Sequence, residues 1–464
     1  MTENYRRILQ IAIPSIVSNI TVPLLGLVDV AIVGHMGSAT YIGAVAVGSM
    51  IFNLVYWLFG FLRMSTTGLT AQAYGRGDGD ETTATLLHAV MTALAIAAAL
   101  IVLQVPLREL MFWFIGPTAD VAPLATNYFH IVIWGAPAAL TLFCLTGFFI
   151  GMQNTRIPMV VSITQNLINI AVSLTLVYGL DMKIEGVATG TVVAQYAALF
   201  MALTYLAASL QRTKKSEQTQ ESTIFQTIAS LCHNSSTESR KSLLAIKRMF
   251  AVNRDLFLRT VCLVGVNLFF TAASARQGAV ILSVNTVLLQ LFLFFSYFMD
   301  GFANAGEALC GRYYGAQERE MFRLTLRQLF LWALLVTILF TALYVGGSHA
   351  IVALLTDDTD VRHVAREYLP WVWLIPAAGA AAFIWDGVFV GITDSRGMLF
   401  TTLLATVAFA AVYLLTRTVM GNHGLWLAQI VYLALRGLSQ TVWYRRVIGM
   451  EEWEEDKDYF KLSS

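Results

Sequence analysis

Residues Gly147–Arg156 read GFFIGMQNTR, and residues Gly387–Arg396 read GVFVGITDSR. Gly147, Phe149, Gly151 and Arg156 each meet an identical residue at an offset of 240 positions. The same offset lays Asp120 on Asp360, Val121 on Val361, Ala125 on Ala365, Tyr128 on Tyr368 and Phe143 on Phe383. It also lays Tyr74-Gly75 on Tyr314-Gly315. One ungapped offset joining stretches so far apart marks an internal duplication.

Composition states what was duplicated. Of 464 residues, 57% are hydrophobic and 13% charged, against about 25% charged in an average soluble domain. Apolar runs of about 20 residues, long enough to span a bilayer, recur along the chain. They predict helices near 9–34, 42–73, 82–105, 121–151, 157–178, 186–210, 256–275, 280–311, 322–346, 361–392, 397–417 and 424–444. The fold class expected is an all-α polytopic membrane protein with twelve transmembrane helices, six in each copy. An even number of helices makes both copies enter the membrane in one direction, related by a pseudo-two-fold axis along its normal. Two such bundles would leave a cleft between them for a substrate.

The expected boundaries are an N-terminal lobe at 1–210, a cytoplasmic linker at 211–255, a C-terminal lobe at 256–447 and a short acidic tail at 448–464. The linker contains KKSEQTQESTIFQTIASLCHNSSTESRKS, rich in Ser, Thr, Gln and charge. Within it, Ile224–Leu231 could form a short amphipathic turn. MTENYRRILQIAIP has a basic start, but its apolar run continues past any small-residue cleavage site, so it reads as a retained helix. With the N-terminus inside, inner connections carry roughly eighteen Lys and Arg and outer ones about six, which puts both termini in the cytoplasm.

Several function classes are excluded. A net charge of +1 gives no electrostatic case for nucleic acid. The four cysteines are scattered and suggest neither a disulfide framework nor a metal site. No GxxxxGK[ST] phosphate loop is present, so ATP is not the driving force. No HExxH motif occurs, nor any Ser-His or Cys-His arrangement within the spans, so neither catalytic residues nor a cofactor are expected.

Carboxylates at bilayer depth cost at least about 2.5–3.5 kcal/mol and ask for a reason. Asp29 lies deep in the first span, in TVPLLGLVDVAIVGHMG. Asp386 lies in FIWDGVFVG, where the first copy has Thr146. Asp300 and Glu307, seven residues apart, share a helix face and are candidate supporting charges. Asp29 and Asp386 have no neutralising neighbour in sequence and are read as functional. Arg63, Arg259 and Arg436 are read as structural ion pairs or as snorkelling to the interface. Asn166, Asn169 and Ser173 fall on one face of the fifth span, and Thr189, Thr191 and Gln195 on one face of the sixth. Such a stripe glues helices together or, converging on an ionisable group, forms a proton or cation site. Pro14 and Pro23 each remove a hydrogen bond from the first span and create a bending point.

These features resemble the multidrug and toxic compound extrusion (MATE) family over nearly the whole chain apart from the linker. The stretches that carry the resemblance are IPSIVSNITVPLLGLVDVAIVGHMG, LTAQAYG, GFFIGMQNTR, MDGFANAGEALCGRYYGA, WDGVFVG and GNHGLWLAQIVYLALRGLS. It implies a monomeric two-lobe exporter in the bacterial inner membrane. Small organic compounds, often cationic or amphipathic, would leave in exchange for protons or sodium. It also implies coupling at Asp29, bending at Pro14 and a tenth-helix acid at Asp386. The family's fifth-helix pattern pairs an Asn with an Asp four residues on; Asn169 is followed here by Ser173, which favours protons over sodium. The rival within the same plan is a lipid or lipid-linked flippase, which would need a strongly basic cleft.

Overall fold

The computed structural model describes residues 2–34, 39–216 and 236–447. Within them, the side chains of residues 2, 22–27, 29–31, 33–34, 39, 210–216, 236–246 and 447 lie outside the description. Regular structure among the described residues is helical throughout. Among the described residues, ten segments are long and apolar enough to cross a membrane. The first and last helices, α1 (Thr2–Gly34) and α15 (Asn422–Val447), complete the series of twelve.

The first copy is more broken than its hydropathy suggests. Its second span is α2 (Ala39–Leu58) and α3 (Phe61–Arg76), interrupted at Phe59-Gly60. The third is α4 (Gly79–Val102) followed by α5 (Gln104–Ile115), which carries Pro106 in its first turn. The fourth is α6 (Ala122–Val132), a 3₁₀ turn at Ile133–Gly135 and α7 (Ala136–Gly151) with Pro137 at its start. Then come α8 (Arg156–Leu174), a π turn at Thr175–Gly179, and α9 (Lys183–Ser216). The second copy runs straight through the equivalent places. Its helices are α10 (Ser236–Ala275), α11 (Ala279–Gly315), α12 (Arg319–Leu355), α13 (Thr359–Gly391) and α14 (Ser395–Met420), then α15.

The repeated string acts at the point of closest helix approach. Gly147 and Gly151 lie one turn apart on α7, facing α3. A methyl on Gly147 would come within 2.4 Å of the Arg63 carbonyl oxygen, and one on Gly151 within 2.8 Å of that of Thr67. Gly387 and Gly391 repeat this on α13 against α11, at 2.2 Å from the Ala303 oxygen and 2.7 Å from that of Glu307. Small residues one turn apart are what bring helix backbones together where lipid supplies no hydrophobic drive.

The turns repeat too. After α7, Gln153 adopts φ 62°, and Asn154 N–H bonds back to the Phe149 carbonyl at 2.8 Å. After α13, Thr393 adopts φ 58°, and Asp394 N–H bonds to the Phe389 carbonyl at 3.0 Å. Both are left-handed helix ends that satisfy otherwise orphaned carbonyls. The packing partners correspond as well: α3 with α7 and α11 with α13, then α8 with α9 and α14 with α15.

The chain divides into two compact units, Ile13–Ser239 on the one hand and Met1–Ala12 with Arg240–Ser464 on the other. Two expectations change. The stretch 211–255, read as a tether, is helical at both ends, since α9 runs to Ser216 and α10 begins at Ser236. Beyond 247, α10 is packed: Asn253 and Asp255 are buried, and Ser395 Oγ donates to Asp255 Oδ2 at 3.0 Å. Polar composition there reports the end of membrane burial, not the end of the helix. Ile224–Leu231 and the acidic tail 448–464 lie outside the described residues. The N-terminal lobe also does not begin at residue 1, because the first twelve residues belong to the other unit.

Candidate functional site

In the first-half unit, the stripe read from sequence is assembled. Asn169 and Ser173 of α8 are 1% and 0% exposed. Asn169 Nδ2 donates to Thr191 Oγ1 of α9 at 3.1 Å, and Ser173 Oγ donates to Asn169 Oδ1 at 3.5 Å. Thr191 in turn donates to the Val187 carbonyl at 3.1 Å. Gly190 makes this fit, since a methyl there would sit 2.2 Å from Ser173 Oγ. Directly beyond Ser173 the helix widens into its π turn, a feature that often marks functional sites.

The same face of α8 lies along α1. Asn166 Nδ2 donates to the Thr21 carbonyl at 3.1 Å, and Tyr178 OH donates to the Ile32 carbonyl at 3.1 Å. These two bonds run in parallel register and bracket Asp29 in α1, placing its backbone level with the start of the π turn at Thr175. The side chains of Asp29 and of Pro23 lie outside the described residues. Pro14 is buried within a continuous α1. Gln195 also reaches the bundle: a methyl on Gly135 would come within 1.8 Å of its Oε1, so the 3₁₀ turn between α6 and α7 has room for it.

In the second-half unit, Asp386 has partners that its sequence neighbourhood does not reveal. It is 8% exposed on α13, and its Oδ2 receives the guanidinium of Arg259 from α10. Arg436 Nη2 of α15 lies 3.3 Å from the same oxygen. Gln440 Nε2, one turn further along α15, donates to Oδ1 at 2.7 Å. Arg259 and Arg436 are each 5% exposed, and their Nε atoms are buried without a hydrogen-bond partner. The Arg436 guanidinium also faces the rings of Phe383 and Tyr432, both 5.7 Å away. Two buried guanidinium groups, from α10 and α15, thus converge on one carboxylate of α13. Such a cluster is strongly weakened by loss of one member. Asp386, which has no neutralising neighbour in sequence, is thus met by two guanidinium groups from distant helices, and Arg259 and Arg436 form interhelical ion pairs here.

Asp300, half-buried on α11, exerts its charge on Tyr297 and Arg436. Glu307 is 2% exposed on the α11 face that receives Gly391. Among the described residues, no group of three or more His, Cys, Asp and Glu could hold a metal ion.

One polar cluster escaped the sequence reading. Asn4 of α1 is 4% exposed and hydrogen-bonded to Thr325 and Gln328 of α12. Its only signal was an asparagine at the start of an apolar helix, which ordinarily reads as solvated.

These features define a duplicated, all-α membrane protein with a polar site in one unit and an ion cluster in the other. The MatE family model matches residues 14–175 and 256–415, one stretch in each copy. The chain is 36% identical over 450 residues to DNA damage-inducible protein F of Escherichia coli K12, covering 96% of this chain and 93% of that one. It is 24% identical over 427 residues to the probable multidrug resistance protein NorM of Acinetobacter baylyi, covering 89% of each. Its fold matches a MATE transporter solved in the bent conformation, with TM-score 0.83, 16% identity and coverage of 97% and 96%. A mutant of the Vibrio cholerae MATE transporter VcmN matches with TM-score 0.82, 18% identity and coverage of 97% and 98%. The chain belongs to the MatE family, a family of multi-pass membrane transporters and not of enzymes.

Proposed function

We propose that this protein exports small organic compounds across the bacterial inner membrane, in exchange for protons, by alternating access between its two bundles. The observation that carries this is its likeness, over most of its length, to multidrug resistance proteins such as that of Acinetobacter baylyi. Both termini would face the cytoplasm, in keeping with the Lys and Arg distribution.

Asp29 is the proposed coupling acid. It lies about 40 Å along α1 at 1.5 Å per residue, in the outer part of the helix. Asn169, Ser173 and Thr191 support a proton in preference to sodium. They form a neutral network with no carboxylate of its own, which leaves the charge of a sodium ion less compensated than the Asn-and-Asp pair of the family's fifth-helix pattern would. Taking up a proton from the outside would neutralise Asp29 and let α1 bend near Pro14, weakening the hold on substrate. Releasing the proton inside would reset the cycle. Asp386 is the alternative coupling acid, disfavoured because Arg259 and Arg436 already compensate its charge.

The test is uptake of a fluorescent organic cation such as ethidium into inverted vesicles. Uptake should follow an imposed pH gradient and collapse with a protonophore. Uptake driven by ATP without a gradient, or by sodium alone, would refute the proposal.

A further inference from the structure

We propose that Asn4 is the centre of a clasp that holds the first turns of α1 in the second-half unit and opens once in every transport cycle. The inference rests on the alternating-access reading above. Helix α1 is shared: residues up to Ala12 belong to the second-half unit and those from Ile13 to the first-half unit. The division falls beside Pro14, the residue in this stretch that cannot supply a backbone N–H to the helix ladder.

The first turns are held by a buried face. Ile8, Ile11 and Ala12 are no more than 2% exposed, while Ile13, directly past the division, is 53% exposed. Tyr5 packs edge-on against Trp332, with ring centroids 6.4 Å apart. Asn4 supplies the direction. Its Nδ2 donates to Thr325 Oγ1 at 3.0 Å and to Gln328 Oε1 at 2.7 Å, and its Oδ1 accepts from Tyr313 OH at 3.3 Å. Both amide hydrogens and the amide oxygen are thereby satisfied, with partners on two helices, α11 and α12.

The chemistry of this contact suits repeated opening. Neutral amides and hydroxyls exchange protein partners for water at little net cost, whereas leaving them buried and unpaired is expensive. The clasp is therefore stable either fully closed or fully wetted. The glycine contacts of α13 with α11 are a different case, backbone packed directly against backbone with no side-chain amide or hydroxyl of the glycines to exchange for water. A helix anchored at its start in one unit and continuing in the other is strained as the units rearrange, and we assign that strain to two places, bending near Pro14 and release of the anchored first turns. Asn4 marks the release point.

The experiment is a reversible lock. In the full chain, with Cys144, Cys232, Cys262 and Cys310 replaced by serine, Asn4→Cys and Gln328→Cys are combined and treated with a short thiol crosslinker or an oxidant in membranes. The reduced protein serves as the reference for ethidium transport. We expect crosslinking to form, to abolish transport and, for the disulfide, to be reversed by reductant. Transport that persists in the crosslinked protein, or failure of the pair to crosslink, would overturn the clasp. Absence of transport in the reduced reference, when the wild type is also inactive, would instead count against the transport reading. As a second measure, Asn4→Ala should increase labelling of Thr325→Cys by a membrane-impermeant maleimide in inverted vesicles. Unchanged labelling would show a fixed anchor and would also overturn the proposal.

Discussion

Arg259 on α10 and Asp386 on α13 form a buried ion pair although they stand 127 positions apart in the chain. Arg436 shares the carboxylate from a third helix. Asp386→Asn would leave two buried guanidinium groups facing a neutral amide, at a cost of about 3–5 kcal/mol. Thermal unfolding in detergent should show this loss, and the double variant Asp386→Asn with Arg259→Met should recover part of it. An Asp386→Asn protein of wild-type stability that transports nothing would instead move the coupling acid to Asp386.

The repeated glycines make a graded prediction. Gly387→Ala places a methyl 2.2 Å from the Ala303 carbonyl oxygen and 2.7 Å from its Cα, where only backbone could yield. Overpacking of this kind costs about 1–3 kcal/mol or more. Gly265→Ala on α10 meets nothing within 4 Å and should gain about 0.5–1 kcal/mol from helix propensity. Unfolding midpoints of the two variants should move in opposite directions.

Asp29→Asn should reduce proton-driven efflux by at least about tenfold, equivalent to about 1.4 kcal/mol, with expression and folding intact. The amide resembles the protonated acid and cannot cycle. Asn169→Ala removes the donor to Thr191 and should weaken coupling less severely. Vesicle flux measured against an imposed pH gradient would check both, and normal coupling in Asp29→Asn would place the proton elsewhere.

A pH effect is expected at the turn between α13 and α14. Burial pushes the Asp394 carboxyl above its ordinary 3.8, with the Asp255 charge adding, against hydrogen bonds from Gly397 and Trp443 and the charge of Arg396. A raised folded-state value means that stability is present below the unfolded value and declines as pH rises through the folded one. Asp394→Asn should therefore flatten the fall in melting temperature on going upward from about pH 4. At neutral pH the variant should change little, because its amide can accept from only one of the two donors while no longer burying a charge. An unaltered pH profile would show that Asp394 does not carry this term.

The sequence by itself determined the duplication, the membrane class and the order of the twelve spans. These are local or periodic properties: a 20-residue apolar run reports its own burial, and an offset of 240 positions needs no contact to be seen. The stripe of Asn169, Ser173 and Thr191 was legible for the same reason, since helical spacing puts such residues on one face before any neighbour is known. Tertiary structure alone decided who meets whom. Arg259 and Arg436 became partners of Asp386, and Asn4 the partner of Gln328, because helices distant in the chain pack side by side. It also decided why GFFIGMQNTR returns as GVFVGITDSR: the glycines are needed where the backbones of α3 and α11 come too close for a methyl group. The continuation of α10 back to Ser236 was hidden as well, because composition senses the solvent around a helix and not its hydrogen bonds.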